Sequence, residues 1–347
     1  MALIDLRSDT LTRPTPEMLQ SIMTAPLGDD SRDGDPTVRE LEDESATAMG
    51  KDAAVFTVSG TMSNTLALRT AADPGAGAIV EESAHVYGME WNNLAAVCGL
   101  LVMPVAGHYG RPDPDRVRWA AKKLGTMYPS RGVLCIENTH NAAGGTVMTA
   151  AQVEELAAIG HEFGLHVHLD GARIFNAAVA LGCEARDLTR AVDSVSFCLS
   201  KGLSAPVGSI LAGAGPFIER AGKIRRSFGA AMRQAGVIAA PGLVALRTMV
   251  ARLAEDHANA RWLAEAIVSA PGLQVDLRAV QTNIVNLDVG GLGGDAGAFA
   301  KALRERDVRG LASMRSIVRF VTYRGISRAD VEQAADAIRA TATRLGR

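Results

Sequence analysis

The chain has 347 residues, 48% of them hydrophobic but only 4% aromatic, and a formal net charge of −2. That length holds one large domain with a smaller one beside it and an ample core built from Ala, Val and Leu. Mixed charge with no basic tract leaves no nucleic-acid or membrane footprint, no cysteine stands at zinc-type spacing, and no apolar run approaches the length of a membrane span. The opening Met1-Ala2-Leu3-Ile4-Asp5 lacks the architecture of a signal peptide, so the expected location is cytoplasmic. Cys98, Cys135, Cys183 and Cys198 are scattered and read as reduced core thiols.

In chain order, residues 6–16 are polar and rich in Thr and Pro and read as an extended segment, part of an N-terminal arm over 1–20. Residues 28–37 form a loop by their Gly, Asp and Pro content, and Thr37 is placed to cap the helix carrying Val38 and Leu41. Residues 53–58 are strand-like, and Ser59-Gly60-Thr61 then opens a helical pattern through Asn64, Leu66 and Leu68. Free backbone N–H groups at a helix start, a hydroxyl and a close-approach Gly suit a phosphate dianion, although Ser-Gly-Thr turns are common without one. His85 follows a short strand at 78–80; a lone His is more often structural than catalytic. A helix is expected over 115–124, and a buried strand over 133–136 leads into the polar cluster Glu137-Asn138-Thr139-His140-Asn141. His140 has no second His or Cys at ligand spacing, so no metal site is read there.

An amphipathic helix over 151–163 completes a strand, helix, strand unit from Val133 to Asp170, which implies parallel pairing. Two apolar strands, 165–169 and 192–199, end at Asp170 and at Ser200-Lys201. A strand over 207–213 and a basic helical stretch over 216–249 close a large domain spanning 21–251. The remainder, 252–347, reads as a smaller α+β unit: a long helix, strands at 273–277 and 284–289, a helix at 296–306, a strand at 317–322 and a closing helix from Ser327. The Gly-rich run 290–294 lacks the lysine of a phosphate loop and reads as a turn. Arg319 sits in a β-branched strand, an expensive place for a charge without an anionic partner, and a guanidinium grips a carboxylate bidentately.

Open α/β sheets place ligands at strand carboxyl ends. Asp170 and Lys201 at neighbouring strand ends could be an ordinary ion pair on the rim of a sheet. They are also the residue types that pyridoxal phosphate needs: a lysine to hold the aldehyde as a Schiff base, and an acid to keep the pyridine nitrogen protonated so that the ring acts as an electron sink. Gly171, Ala172 and Gly202 leave room for backbone to approach a flat ring.

Asp170-Gly171-Ala172-Arg173-Ile174-Phe175-Asn176, Cys198-Leu199-Ser200-Lys201-Gly202 and Met232-Arg233-Gln234 resemble segments of the threonine aldolase family, the low-specificity L-threonine aldolase-like enzymes of the aspartate-aminotransferase-like fold type I. Leu6-Arg7-Ser8-Asp9-Thr10 and Arg319-Phe320-Val321-Thr322 extend the match over nearly the whole chain. The resemblance implies an α/β large domain with a mostly parallel central sheet flanked by helices, plus a smaller α+β C-terminal domain. It implies pyridoxal 5'-phosphate on Lys201, with Asp170 at the pyridinium and Ser59, Gly60, Thr61 and Ser200 at the phosphate. Arg173 is assigned to the cofactor's phenolic oxygen or the substrate carboxylate. Arg233 is assigned to the phosphate of a neighbouring subunit, hence a homodimer or homotetramer with shared sites. His85 is expected to stack on the ring and to be the base for a substrate hydroxyl, a role suited to an imidazole with an unperturbed pKa of about 6.5. Glu90 matches an acid near the same site, and Asn138 is a candidate partner for the ring substituents. Ser8 is implied at the substrate carboxylate with Arg319; capping the arm is its plain alternative.

The implied reaction is cleavage of L-threonine, L-allo-threonine or a related β-hydroxy-α-amino acid to glycine and an aldehyde. β-Elimination, racemisation or transamination at the same cofactor stays open, because the sequence does not say which Cα bond stands perpendicular to the ring. A cofactor-binding regulator without turnover is the alternative from another class. The chain departs from its relatives at Arg32-Asp33-Gly34, where Tyr-Gly-Glu is usual, and at Gly229-Ala230-Ala231, where three glycines are. It also lacks the second His common near Thr126-Met127-Tyr128-Pro129, leaving Tyr128, or His85 with water, to handle the hydroxyl. Arg32 and Met127 keep an aryl or carboxylated substrate open.

Overall fold

The computed structural model describes residues 3–90, 92–127 and 132–346, so Tyr128 lies outside the described residues. At its centre is a seven-stranded sheet. In chain order the strands are β1 (Ala53–Thr57), β2 (Gly77–Glu81), β3 (Leu101–Val105), β4 (Val133–Glu137), β5 (His166–Asp170), β6 (Ser194–Cys198) and β7 (Ser209–Gly213). Their spatial order is β1-β7-β6-β5-β4-β2-β3, and only β7 runs antiparallel to its neighbours. Strands β2 and β4 are buried along their length, as parallel strands covered on both faces are.

Strand β5 is different. The two-residue alternation of a strand puts His166, His168 and Asp170 on one face and Val167 and Leu169 on the other. Ser194 and Ser196, the register partners of His168 and Asp170, extend this polar stripe onto β6. The helix Gly60–Ala71 lies over it and supplies Asn64 to it. The remaining hydrophobic side of the sheet packs on Leu156, Leu188 and their neighbours.

The smaller unit contains strands β8 (Ile284–Asp288), β9 (Leu311–Ala312) and β10 (Ile317–Val321) in the antiparallel order β8-β10-β9. Its core includes Leu263, Phe299, Phe320 and Ile338, and also Ile4 and Leu6 from the N-terminal arm. Ile4–Asp5 pairs in parallel with Val308–Arg309, and Val321 N–H donates to the Leu6 carbonyl at 2.7 Å. Twelve residues after Leu6, Met18 on the helix Pro16–Thr24 is buried in the core of the large unit. The arm thus ties the two units together and carries Ser8 and Asp9 across the junction.

Two expected elements differ in the structure. Residues 273–277 do not form a strand: only Gln274 bridges to Asp288, Gly272 turns the chain at φ +78°, and Asp276 accepts from Arg278 N–H at 3.0 Å to close a turn. The helical stretch 216–249 is broken into Gly215–Ser227 and Gly236–Thr248, with Gly229 between them in the left-handed region at φ +80°. Among the described residues no single helix is long and apolar enough to cross a membrane.

Phe197 of β6 is 1% exposed and meets Phe175 edge-on, ring centroids 5.3 Å apart. Phe197→Ala is expected to cost about 3–5 kcal/mol, read as a lower urea midpoint at unchanged slope. A loss below about 1 kcal/mol would contradict this packing.

Candidate active site

Asp170 ends β5 and is 1% exposed. Its carboxylate accepts from Asn64 Nδ2 at 2.8 Å and from Ala172 N–H at 3.1 Å. Strand β6 ends beside it, and Leu199 leads to the half-buried Ser200 and Lys201. The backbone there is pinned, because the Lys201 carbonyl accepts from Thr12 Oγ1 at 3.0 Å and Ser204 N–H at 2.8 Å. Lys201 Nζ itself makes no hydrogen bond or ion pair with any described residue.

Ser59 is the N-cap of the helix Gly60–Ala71: its Oγ accepts from Met62 N–H at 3.2 Å and its carbonyl from Ser63 N–H at 3.0 Å. The first N–H groups of a helix have no intrahelical partner, so those of Gly60 and Thr61 remain for an anion. Gly60 is required by close approach, since a Cβ there would stand 2.7 Å from Cys198 Sγ.

His85 begins the short helix His85–Gly88. Its backbone N–H donates to Glu137 Oε2 at 2.6 Å, while Asn141 N–H donates to Glu137 Oε1 at 2.7 Å, so one buried carboxylate fixes two segments of the site. The imidazole Nδ1 is 2.8 Å from Glu90 Oε1, which also accepts from Asn64 Nδ2 at 2.9 Å. An oxygen with a second donor already on it is an acceptor toward the ring, so Nδ1 carries the hydrogen and Nε2 is left for a ligand. Burial lowers the proton affinity of His85, but the Glu90 hydrogen bond and the negative charges of Asp170, Glu137 and Glu90 outweigh it and raise its pKa. Burial also raises the Glu90 carboxyl; the two donors facing that oxygen keep the shared proton on His85.

Arg173 is buried and forks onto Asp9, with Nε to Oδ2 and Nη2 to Oδ1 both at 2.7 Å, and Nη1 donates to Asn141 Oδ1 at 3.2 Å. Burial alone would raise Asp9, but the Arg173 guanidinium and its hydrogen bonds prevail and bring the carboxyl down to about 2. With its fork spent on Asp9, Arg173 keeps only its Nη1 edge toward any cofactor or substrate. Arg319, on β10, has no carboxylate partner among the described residues: Nη1 donates to Asn141 Oδ1 at 3.0 Å, Nη2 to the Arg7 carbonyl at 3.3 Å, and Nε is buried without a partner. Burial and the neighbouring Arg173 lower its pKa to about 10, so it remains a cation in want of an anion. Ser8 adjoins Arg7, but its Oγ accepts from Thr10 N–H at 3.2 Å and Thr10 Oγ1 at 2.9 Å, capping the turn Asp9–Leu11.

Arg233 is exposed, donates at 3.2 Å to the Ala231 carbonyl and touches none of the residues above within the chain. Arg32 is also exposed, 3.7 Å from Asp29, in a loop held by buried Arg225, which donates to the Phe56 carbonyl and to Asp30, each at 2.8 Å. Asn138 does not face a ring: both ends of its amide are spent on the Met148 backbone, at 2.9 and 3.1 Å. The roles of Asp9 and Asn64 escaped the sequence reading, and Asn141 was placed in the polar cluster 137–141 without a role. The usable signal was Arg173, a charge followed by Ile174-Phe175, which demanded a buried acid from elsewhere.

These residues fit pyridoxal phosphate by their chemistry: an unpaired lysine, a buried carboxylate acceptor and a capped helix start with open N–H groups. Asp9→Ala strands the Arg173 charge and is expected to cost about 3–5 kcal/mol of stability. Asp9 is held at about 2 against an ordinary 3.8, so its stabilisation is complete above about pH 4 and fades as the pH falls toward 2. Stability measured from pH 6 down to about 2 should fall less steeply for Asp9→Asn than for the parent; parallel curves would refute the assignment.

The family described as beta-eliminating lyase matches residues 5–289. The low-specificity L-threonine aldolase of Escherichia coli K12 is 40% identical over 96% of this chain and 97% of its own. Low-specificity L-threonine aldolase 1 of Arabidopsis thaliana is 38% identical over 95% and 94%. Among solved structures, Leishmania major threonine aldolase superposes with a TM-score of 0.81 at 18% identity, covering 98% of this chain and 99% of that one. An aspartate aminotransferase variant from Thermus thermophilus gives 0.74 at 17% identity, covering 98% and 92%, so the fold is that of the fold-type I enzymes. With a family match over most of its length and relatives this similar from end to end, the chain belongs to the low-specificity L-threonine aldolase family.

Proposed function

We propose that this protein is a pyridoxal phosphate-dependent carbon–carbon lyase that cleaves L-threonine, L-allo-threonine or a related β-hydroxy-α-amino acid to glycine and an aldehyde. The observation that carries the reading is the grouping of unpaired Lys201, buried Asp170 and the Glu90-held His85 at strand carboxyl ends of the large sheet, with the carboxylate-free Arg319 of the smaller unit tied in through Asn141. When bound, pyridoxal phosphate supplies an aldehyde for the substrate amine and a ring that accepts electrons from the breaking bond.

Lys201 Nζ would hold that aldehyde, and Asp170 would be the acid that keeps the ring nitrogen protonated. Ser59 and Ser200, with the Gly60 and Thr61 N–H groups, would hold the phosphate, helped by Arg233 of the partner subunit. Arg319 grips the substrate carboxylate, and Asn141, bonded to both Arg319 and Arg173, fixes the plane of the guanidinium. In the aldolase reading that grip would present Cα–Cβ as the bond to be cleaved rather than another Cα substituent. His85 Nε2 takes the β-hydroxyl proton while Glu90 steadies the opposite nitrogen. A homo-oligomer is part of the reading: Leu19, Met23 and Leu27 are 52%, 81% and 47% exposed and ask for cover.

Threonine, allo-threonine, phenylserine and 3-hydroxyaspartate should be assayed for the aldehyde each would release. Activity on at least one is expected, and inactivity on all of them would end the aldolase reading. Lys201→Ala should lose both the bound chromophore and turnover; retention of both would sink the cofactor assignment. Arg319→Ala removes charge-assisted hydrogen bonds worth about 1.5–3 kcal/mol, so KM should rise roughly 10–100-fold. Since the base must be neutral and the pKa of His85 is raised, kcat/KM should fall on acidification from a midpoint above the ordinary 6.5. His85→Asn should abolish that limb.

A further inference from the structure

Asn64 belongs to neither the cofactor cradle nor the substrate grip, yet it is 2% exposed at the centre of the polar stripe. Its amide is used completely. Nδ2 donates to Asp170 Oδ2 at 2.8 Å and to Glu90 Oε1 at 2.9 Å; Oδ1 accepts from Ser196 Oγ at 2.7 Å and from His168 Nε2 at 3.2 Å. Carboxylates only accept, so this orientation of the amide is the one that satisfies all the partners. It also sets the tautomers behind it. His168 carries its hydrogen on Nε2, Ser194 Oγ donates to His168 Nδ1 at 2.9 Å, and His166 Nε2 donates to Ser194 Oγ at 2.8 Å. Burial lowers His168 to about 3 and His166 to about 4, which keeps both neutral in that chain.

Polar atoms of His85, Glu90 and Asp170 lie within 4.8 Å of one another, and two carboxylates that close in a dry site tend to share a proton. We propose that Asn64 is a positioning residue that prevents this: its two N–H groups, one on each carboxylate, hold Asp170 and Glu90 as acceptors in one hydrogen-bonded unit, so that the ring-nitrogen partner and the support of the His85 base work together. The proposal rests on the aldolase reading for its chemistry. The other groups that sense these charges are His85, His140 and His168, with the buried thiols of Cys98, Cys135 and Cys198, and Glu137 adds its own charge at His85 and His140. None of them donates a hydrogen bond to both carboxylates.

The test is the titration of His85, followed by NMR of 15N-labelled imidazole in the full chain without cofactor and assigned with His85→Asn. In Asn64→Leu, which keeps the bulk and removes the donors, the two carboxylates are expected to share a proton instead. The midpoint of His85 then falls by about one pH unit, since lost negative charge weakens its hold on a proton. With pyridoxal phosphate bound, the acid limb of kcat/KM moves the same way and kcat drops, while KM changes little. If Asn64→Leu does not fold, Ser196→Ala frees the carbonyl end of the amide and shifts the midpoint in the same direction by less. An unchanged or raised midpoint overturns the proposal. A parent protein that retains no chromophore and releases no aldehyde overturns the aldolase reading instead, and the cofactor-free titration still decides the role of Asn64.

Discussion

The buried fork of Arg173 onto Asp9 is the joint on which the site hangs. Arg173 follows the β5 strand of the large unit; Asp9 comes from an arm whose preceding residues are packed into the core of the smaller one. A desolvated guanidinium is costly alone and a desolvated carboxylate equally so, but the pair in bidentate register removes most of each penalty. The pair locks the arm across the domain junction, and the Arg7 carbonyl then receives Arg319. Asn141, shared by both arginines, follows from the same arrangement.

Around this joint the charges are sorted by sign. Arg319 and Arg173 stand on one side, with Asp9 forked onto Arg173; Asp170, Glu90 and Glu137 act on His85. On the proposed function, an amino acid with a β-hydroxyl would match that division, its carboxylate toward the cations and its hydroxyl toward the imidazole backed by acids. Lys201 Nζ has no hydrogen-bond or ion-pair partner among the described residues. Low local dielectric makes each of these preferences strong and each unpaired group expensive, which singles these groups out as candidates for function.

Strong local patterns were readable early. Strand β4 announces itself as an apolar run, as buried parallel strands do, and β4, β5 and β6 lie within or close to the stretches read as strands. Ser59 before a helical pattern is a cap by residue type. Failures cluster where local signal is ambiguous. Apolar residues alternating at Leu273, Val275 and Leu277 look like a strand until the turns on either side leave the segment one bridge, and one left-handed Gly229 divides a stretch whose composition is helical throughout.

Which elements form, and which residue types stand at their carboxyl ends, could be taken from the chain as written, because periodicity and capping act over a few residues. Partnership could not. Asp9 lies 164 positions from Arg173, Asn64 lies 106 from Asp170, and Asn141 lies 178 from Arg319. Those pairs exist because the closed fold brings an arm turn, a helix and a loop against residues in or just after strands distant in sequence, and burial then penalises any polar group left alone. That penalty acts only once the chain has closed on itself.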